Sequence, residues 1–304
     1  MKKLFILVAL TISFSMNAQM SDNSHNTSAT GNGAVAMGYE TTASGYRSTA
    51  MGYQTTASGN YSTAMGYDTE ASGKYSTAMG VVTTASGEAT LATGFLTNAS
   101  GYESTAMGYV TRASGYASTA IGYYTTASDY ASTVIGHFNS SGSSATSVNS
   151  FSMSVPAFVI GNGVDSSNRS DAFKVLFNGD TTVGNDLTVS GDVVISSDAR
   201  LKSNIVSLGS TLAKLLQIDG KSYEMKGKQK IGVLAQEIQE VFPELVTEDD
   251  NEMLAVNYQG LVPILINALK EQDANIKAQQ EELDRLKEQE KRLDRLEKLV
   301  AKLN

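Results

Sequence analysis

Ser197 and Lys202, five residues apart in Ser197-Asp198-Ala199-Arg200-Leu201-Lys202-Ser203-Asn204-Ile205, are the residues of this 304-residue chain whose types and spacing fit covalent chemistry. A hydroxyl and an amine at that separation can meet across one turn of backbone. The hydroxyl is a weak nucleophile until a base removes its proton. A lysine serves as that base when burial or a neighbouring cation favours its neutral form. Arg200 is such a cation by type, and the sequence does not fix where it points. Taken alone, the pair fits an N-cap serine opening a charged helix better than it fits a dyad. The elements on either side decide between the two.

Other chemistry finds little support. With no cysteine in the chain, thiolate catalysis, thiolate metal sites and disulfides are excluded. Gly161-Asn162-Gly163 lacks the third glycine and the strand-to-helix context of a nucleotide loop and reads as a turn. Asp165-Ser166-Ser167-Asn168 lacks the spaced carboxylates and terminal glutamate of a calcium loop. No cleft-forming carboxylate pair stands out in 34–195, so sugar hydrolysis is not expected. A formal net charge of −8 argues against nucleic acid as a partner. The reading therefore includes no metal, no cofactor and no external substrate.

Upstream of the pair the chain repeats itself. A fourteen-residue unit, roughly A-M-G-Y-x-T-x-A-S-G-x-x-S-T, runs from Ala36 to Gly136 without insertion. One glycine recurs from Gly38 to Gly136, and a second from Gly45 to Gly115 that becomes Asp129 in the last copy. A short fixed period means stacked, equivalent turns of chain. Glycine every seventh position opposes helix, while serine, threonine and tyrosine suit short strands. Each copy thus reads as two short strands joined by two glycine turns, and eight rungs make a rod of roughly 40 Å. Two interior columns are expected, Ala36-Ala50-Ala64-Ala78 and Met37-Met51-Met65-Met79, with a third column at Tyr39, Tyr53 and Tyr67. So thin a core points to completion by neighbouring chains. The tyrosines are read as packing against the next protomer or covering the roll, with ligand stacking the lesser alternative.

Ser-Thr-Ala-Met-Gly-Tyr at 48–53, 62–67 and 104–109, with Ser-Thr-Ala-Ile-Gly-Tyr at 118–123, resembles the repeat of YadA-type heads of trimeric autotransporter adhesins. That resemblance implies a left-handed parallel β-roll, three protomers and an adhesive surface. The copy at 87–94 is the poorest match, and a bulge is expected there. Charged residues that break the repeat, Glu40, Arg47, Asp68, Lys74, Glu103 and Arg112, are not needed to build the roll. They are the candidates for contact with a cell-surface, matrix or glycan ligand.

The Ser197–Ile205 motif is similar to the start of the endosialidase-type intramolecular chaperone, a self-cleaving serine peptidase family of phage tail spikes and fibres. Gly232–Glu244 is similar to that family's second block and Val256–Leu265 to its third, in the expected order. The resemblance implies that Ser197 attacks the carbonyl of Ser196, that Lys202 is the general base, and that the Ser196–Ser197 bond breaks once per chain. It assigns no role to Asp198 or Asn204. The short, lysine-rich stretch between Ile218 and Ile231 suggests a trimmed fold at that point.

At the amino end, Lys2 and Lys3 precede an apolar run from Leu4 to Met16 and then Ala18, the pattern of a signal peptide cut after Ala18. A stretch of thirteen residues is short for a membrane span. Between the roll and Ile195, apolar residues alternate at 157–160, 173–177, 187–189 and 193–195, which reads as a β-rich neck. After Pro263, Leu265, Leu269, Ile276, Leu283, Leu286, Leu293, Val300 and Leu303 follow mostly three-and-four spacing, with Gln272, Gln279 and Glu290 on the same seam. That is a trimeric coiled coil with polar register points. Glu281, Glu282 and Glu288 fall on its solvated face. No C-terminal membrane β-barrel is expected.

The combined reading is a signal peptide (1–18), a polar linker (19–33), a β-roll head (34–142), a β-rich neck (143–195), an α+β chaperone domain (196–262) and a coiled coil (263–304). The molecule is expected to be an exported homotrimer at the cell surface that cleaves itself. A phage tail-fibre-like structural protein and a non-cleaving trimer with an inert chaperone domain are the alternatives.

Overall fold

The computed structural model describes residues 20–21, 26–140, 147–249 and 252–303. The signal-peptide reading over 1–18 lies outside them. The chain forms two compact units, Met1–Val193 and Val194–Asn304.

In the first unit the repeat is a β-roll. Val35–Tyr39 pairs in parallel with Thr49–Tyr53, and the pairing recurs every fourteen residues up to Thr133–His137. Each residue meets its own equivalent: Ala36 faces Ala50, Met37 faces Met51 and Tyr39 faces Tyr53. Two-residue strands from Ser28–Ala29 to Thr126–Ala127 form the second, eight-stranded sheet. Between the sheets lie two alanine columns, Ala36 to Ala120 and Ala43 to Ala127, all essentially inaccessible. Buried threonines from Thr41 to Thr125 and serines from Ser48 to Ser132 close the remaining space. The core is small because a rung this tight admits nothing larger.

Three expectations change here. The methionines expected in the interior lie half-buried on the outer face. Neighbouring strand residues point to opposite faces, so burying Ala36 turns Met37 outward. Of the two glycine columns only the second lies at a turn, where the Ser48 amide and hydroxyl donate back to the Gly45 carbonyl at 3.2 and 2.8 Å. Gly38 and its equivalents lie inside the five-residue strands, and left-handed backbone falls on non-glycine corners such as Glu40 (φ 52°) and Arg47 (φ 51°). Gly45 is needed for contact, because a Cβ there would stand 2.0 Å from the Gly59 carbonyl oxygen. The weak copy at 87–94 does not bulge: Leu91–Phe95 pairs in unbroken register with both neighbours.

Past the roll, Pro156–Asn162 joins Thr133–His137 in parallel, and Asp171–Leu176 and Thr181–Val183 add antiparallel. These strands extend the roll's own sheet. Gly161 and Asn162 belong to the strand, so the expected turn falls later, at 164–168, where Asp165 accepts from the Ser167 and Asn168 amides at 2.8 Å. The segments at 187–189 and 193–195 form no strand, and Leu187, Val193 and Val194 are 70%, 63% and 88% exposed. A strand with apolar residues on one face needs a partner to cover them, and none of the described residues covers these.

The second unit has a small mixed core. Helix α1 (Leu212–Leu215) precedes a hairpin, Lys221–Met225 with Lys228–Gly232, which fills the stretch expected to be trimmed. Helix α2 (Ala235–Val241), a short hairpin at Val246–Glu248 and Leu254–Val256, and helix α3 (Leu261–Leu303) complete it. Ile238, Phe242, Leu245 and Ile264 are buried together, with Leu215, Ile218, Val233 and Val256 packed on them. The second and third sequence blocks supply Ile238, Phe242 and Ile264 of this core. Further along α3 the seam residues Leu269, Ile276, Leu283 and Leu293 stay exposed.

Candidate functional site

The candidate site begins just ahead of the second unit's core, in an exposed stretch that includes Ser197 and Lys202. Ala199–Leu201 forms one 3-10 turn. Its cap is Asp198 and not Ser197: the Asp198 carboxylate accepts from the Arg200 amide at 2.8 Å. The Leu201 amide donates to the Asp198 carbonyl and the Lys202 amide to the Ala199 carbonyl, each at 3.1 Å. Folding the chain this way brings Lys202 Nζ to 2.7 Å from Ser197 Oγ. In that bond the ammonium donates to the hydroxyl. Loss of one proton from Nζ would let the hydroxyl donate instead, which is the arrangement a base needs before attack.

Arg200 does not face Lys202. Its Nε and Nη2 donate to the Asp198 carboxylate at 3.0 and 2.7 Å. This side-chain bond, followed by the Arg200 amide, holds the Asp198 carboxyl below the usual carboxylate range. The same bond raises Arg200. Asn204 ends the motif with left-handed backbone, φ 53°. Ser196 and Ser197 are both exposed.

A second carboxylate supports the unit from α3. Glu271 accepts from Ser210 Oγ at 2.7 Å and from the Thr211 and Leu212 amides, tying α1 to the long helix. No sequence signal marked it, because its partners lie some sixty positions upstream. The Ser210 bond, then the Thr211 amide, holds its carboxyl below the usual range. Its stabilising effect is therefore present above the ordinary glutamate value, about pH 4.3, and is lost as pH falls through the lowered folded value. Thermal melts of the whole protein should show the second unit weakening below about pH 4 in wild type. Glu271→Gln should be less stable than wild type at pH 7 and should lose part of that acid dependence. Identical pH profiles would show that Glu271 stays solvated.

In the roll, the six variable charges do not converge. Glu40 accepts from Gln54 Nε2 at 2.8 Å; Arg47 lies over the Tyr46 ring; Lys74 lies over Tyr75 and 3.8 Å from Glu88. Asp68, Glu103 and Arg112 are exposed, and Arg112 stands in the second sheet. The tyrosine column is a stack: Tyr39, Tyr53 and Tyr67 lie nearly parallel with centroids 4.9 and 5.1 Å apart. Phe95, Tyr109 and Tyr123 repeat it at 4.9 Å. Within each stack the ring faces cover one another, while Tyr39, Tyr53 and Tyr67 keep 38%, 40% and 49% of their surface exposed. Among the described residues no cluster of three or more His, Cys, Asp or Glu could hold a metal ion, and no helix is long and apolar enough to cross a membrane.

Comparison with known families agrees with both halves. The sequence model of the YadA head domain repeat matches eight overlapping stretches covering 25–139. The model described as the chaperone of endosialidase matches 197–247, so the block at 256–265 lies beyond it. Among curated proteins, the chain is 35% identical over 95 residues to the long tail fiber protein Gp37 of Enterobacteria phage K3. It is 36% identical over 95 residues to that of Enterobacteria phage T2. These alignments cover 28% of this chain and only 8% and 7% of the two fibre proteins.

Proposed function

We propose that this chain is an exported, fibrous homotrimer at the cell surface, whose second unit assembles the trimer and then cuts itself free. The observation that carries the cleavage is Lys202 Nζ at hydrogen-bond distance from Ser197 Oγ, inside the stretch matched by the chaperone family. The chemistry balances simply. Lys202 takes the hydroxyl proton as Oγ bonds to the Ser196 carbonyl carbon. The peptide C–N bond then breaks, the Ser197 nitrogen gains a proton, and an ester remains. Water hydrolyses that ester, leaving a carboxylate on Ser196 and a free amine and hydroxyl on Ser197. In the single chain the dyad is open to solvent, so assembly must supply the desolvation and alignment that make attack productive.

Trimerisation draws on uncovered apolar surface. Half-buried methionines on the roll, the exposed stretch at 187–195 and the open seam of α3 all leave apolar surface uncovered among the described residues. A coiled coil would cover the last of these. Light scattering at micromolar concentration should give three chains per particle, and a stable monomer or dimer would overturn the assembly. The outward charges of the roll stand on separate edges, so contact with a cell-surface, matrix or glycan ligand would spread along the rod.

A second reading is favoured by the two aligned phage fibre proteins: a tail-fibre-like structural trimer. It shares the assembly and the cleavage, and differs in where the protein is used. Finding the protein on cells that carry no phage supports the first reading; finding it only in virions supports the second.

A further inference from the structure

We infer that Asp198 is a positioning residue for the cleavage, acting by closing the turn that folds Lys202 onto Ser197. The inference rests on the reading of these two residues as nucleophile and base. A single 3-10 turn is a marginal structure, since three residues are fixed for very little hydrogen bonding. This one stands in an exposed stretch with no buried residue of its own. The Asp198 side chain is the cap that its first turn has, accepting the Arg200 amide at 2.8 Å. The fork from the Arg200 side chain then holds that carboxylate in place from the other side, at 3.0, 3.2 and 2.7 Å. Without the cap, the backbone between 197 and 202 is free to extend. Extended, five residues span some 16 Å or more, far from the 2.7 Å that proton transfer uses here. Asp198 touches neither reacting atom in this arrangement. Its carboxylate is spent on backbone and guanidinium, so it orients the dyad and does not take the proton.

Two substitutions separate positioning from chemistry. Asparagine caps as well as aspartate does, and alanine does not. In the full-length chain, Asp198→Ala should slow release of the 197–304 fragment roughly tenfold, the scale of a lost cap. Asp198→Asn should cleave within about twofold of wild type, because the amide oxygen still accepts the Arg200 amide. The pH dependence of the remaining D198A cleavage should match wild type, since the base is unchanged. A direct proton-transfer role would instead leave D198N as slow as D198A and shift the profile. Hydrogen exchange gives a readout that needs no cleavage. In an uncleavable S197A background, D198A should speed exchange at the Arg200, Leu201 and Lys202 amides while D198N leaves it slow. If wild type cleaves and D198A cleaves equally fast, the inference is overturned. If wild type never cleaves yet D198A still opens the turn, the capping role stands and the peptidase reading fails. Unchanged exchange in D198A would refute the capping role by itself.

Discussion

Replacing Ser197 by alanine is expected to abolish release of the 197–304 fragment and to leave the trimer intact. The hydroxyl is exposed and packs against nothing buried, so its loss removes a nucleophile at little cost to folding. Losing a nucleophile of this kind costs on the order of 10⁴-fold in rate or more. Mass spectrometry of wild type should find a new amino terminus at Ser197, and denaturing gels of S197A should show only the uncut chain. Lys202→Ala should behave like S197A through loss of the base. Lys202→Arg should also fail, because a guanidinium does not release its proton near neutral pH. The same fragment appearing from S197A would assign the cut to an outside protease.

The second large effect is expected in the roll. Gly66→Ala should cost about 3 kcal/mol or more and disorder the surrounding rungs. Gly66 has φ +129°, which an L side chain rarely adopts, and a Cβ there would stand 1.9 Å from the Gly80 carbonyl oxygen. Gly80 cannot retreat, because its strand is paired in register with the rungs on both sides. Gly191 is the control: nothing lies within 4 Å of a Cβ built there. Far-ultraviolet circular dichroism on heating should show an early loss for G66A and a wild-type curve for G191A. Coincident curves for all three proteins would mean that the rungs do not stack at this spacing.

Much of the roll was legible because its period is its register. When Ala36 recurs as Ala50 and Ala64, stacking like on like is the arrangement that satisfies every copy at once, and the pairing follows residue by residue. The direction of Met37 was misread, since composition invites methionine inside while the strand's alternation sends it out. Both glycine columns read as turns, yet only the second stands at one; the first lies inside the strands, and the close approach of backbones demands both. At the candidate site, residue types and spacing pointed to Ser197 and Lys202, yet the cap was assigned to the wrong neighbour. Serine and aspartate are near-equal caps, and only the backbone shows which one precedes the turn. Glu271 was illegible because its partners are distant in sequence and its own position on a long charged helix looks ordinary. The alternation at 187–189 and 193–195 suggests strands that the structure does not form, because no described strand lies beside these residues to pair with them.

The second column of glycines ends in a way that sets how such a rod can change. From Gly45 to Gly115, each one's missing Cβ faces the backbone of the rung that follows. Asp129 ends the column, buried, with its carboxylate met by Ser147 Oγ at 3.4 Å. A copy inserted before Asp129 meets the same backbone above and below, so the strand pairing re-forms one rung further along, while copy-specific pairs such as Lys74 with Glu88 are parted only if it falls between them. A gain or loss of fourteen residues therefore lengthens or shortens the roll with its backbone pairing kept. A copy added after Asp129 would set its backbone against a side chain and stall. Heredity can then tune the reach of the rod in steps of about 5 Å, always from inside the array and never at its last rung.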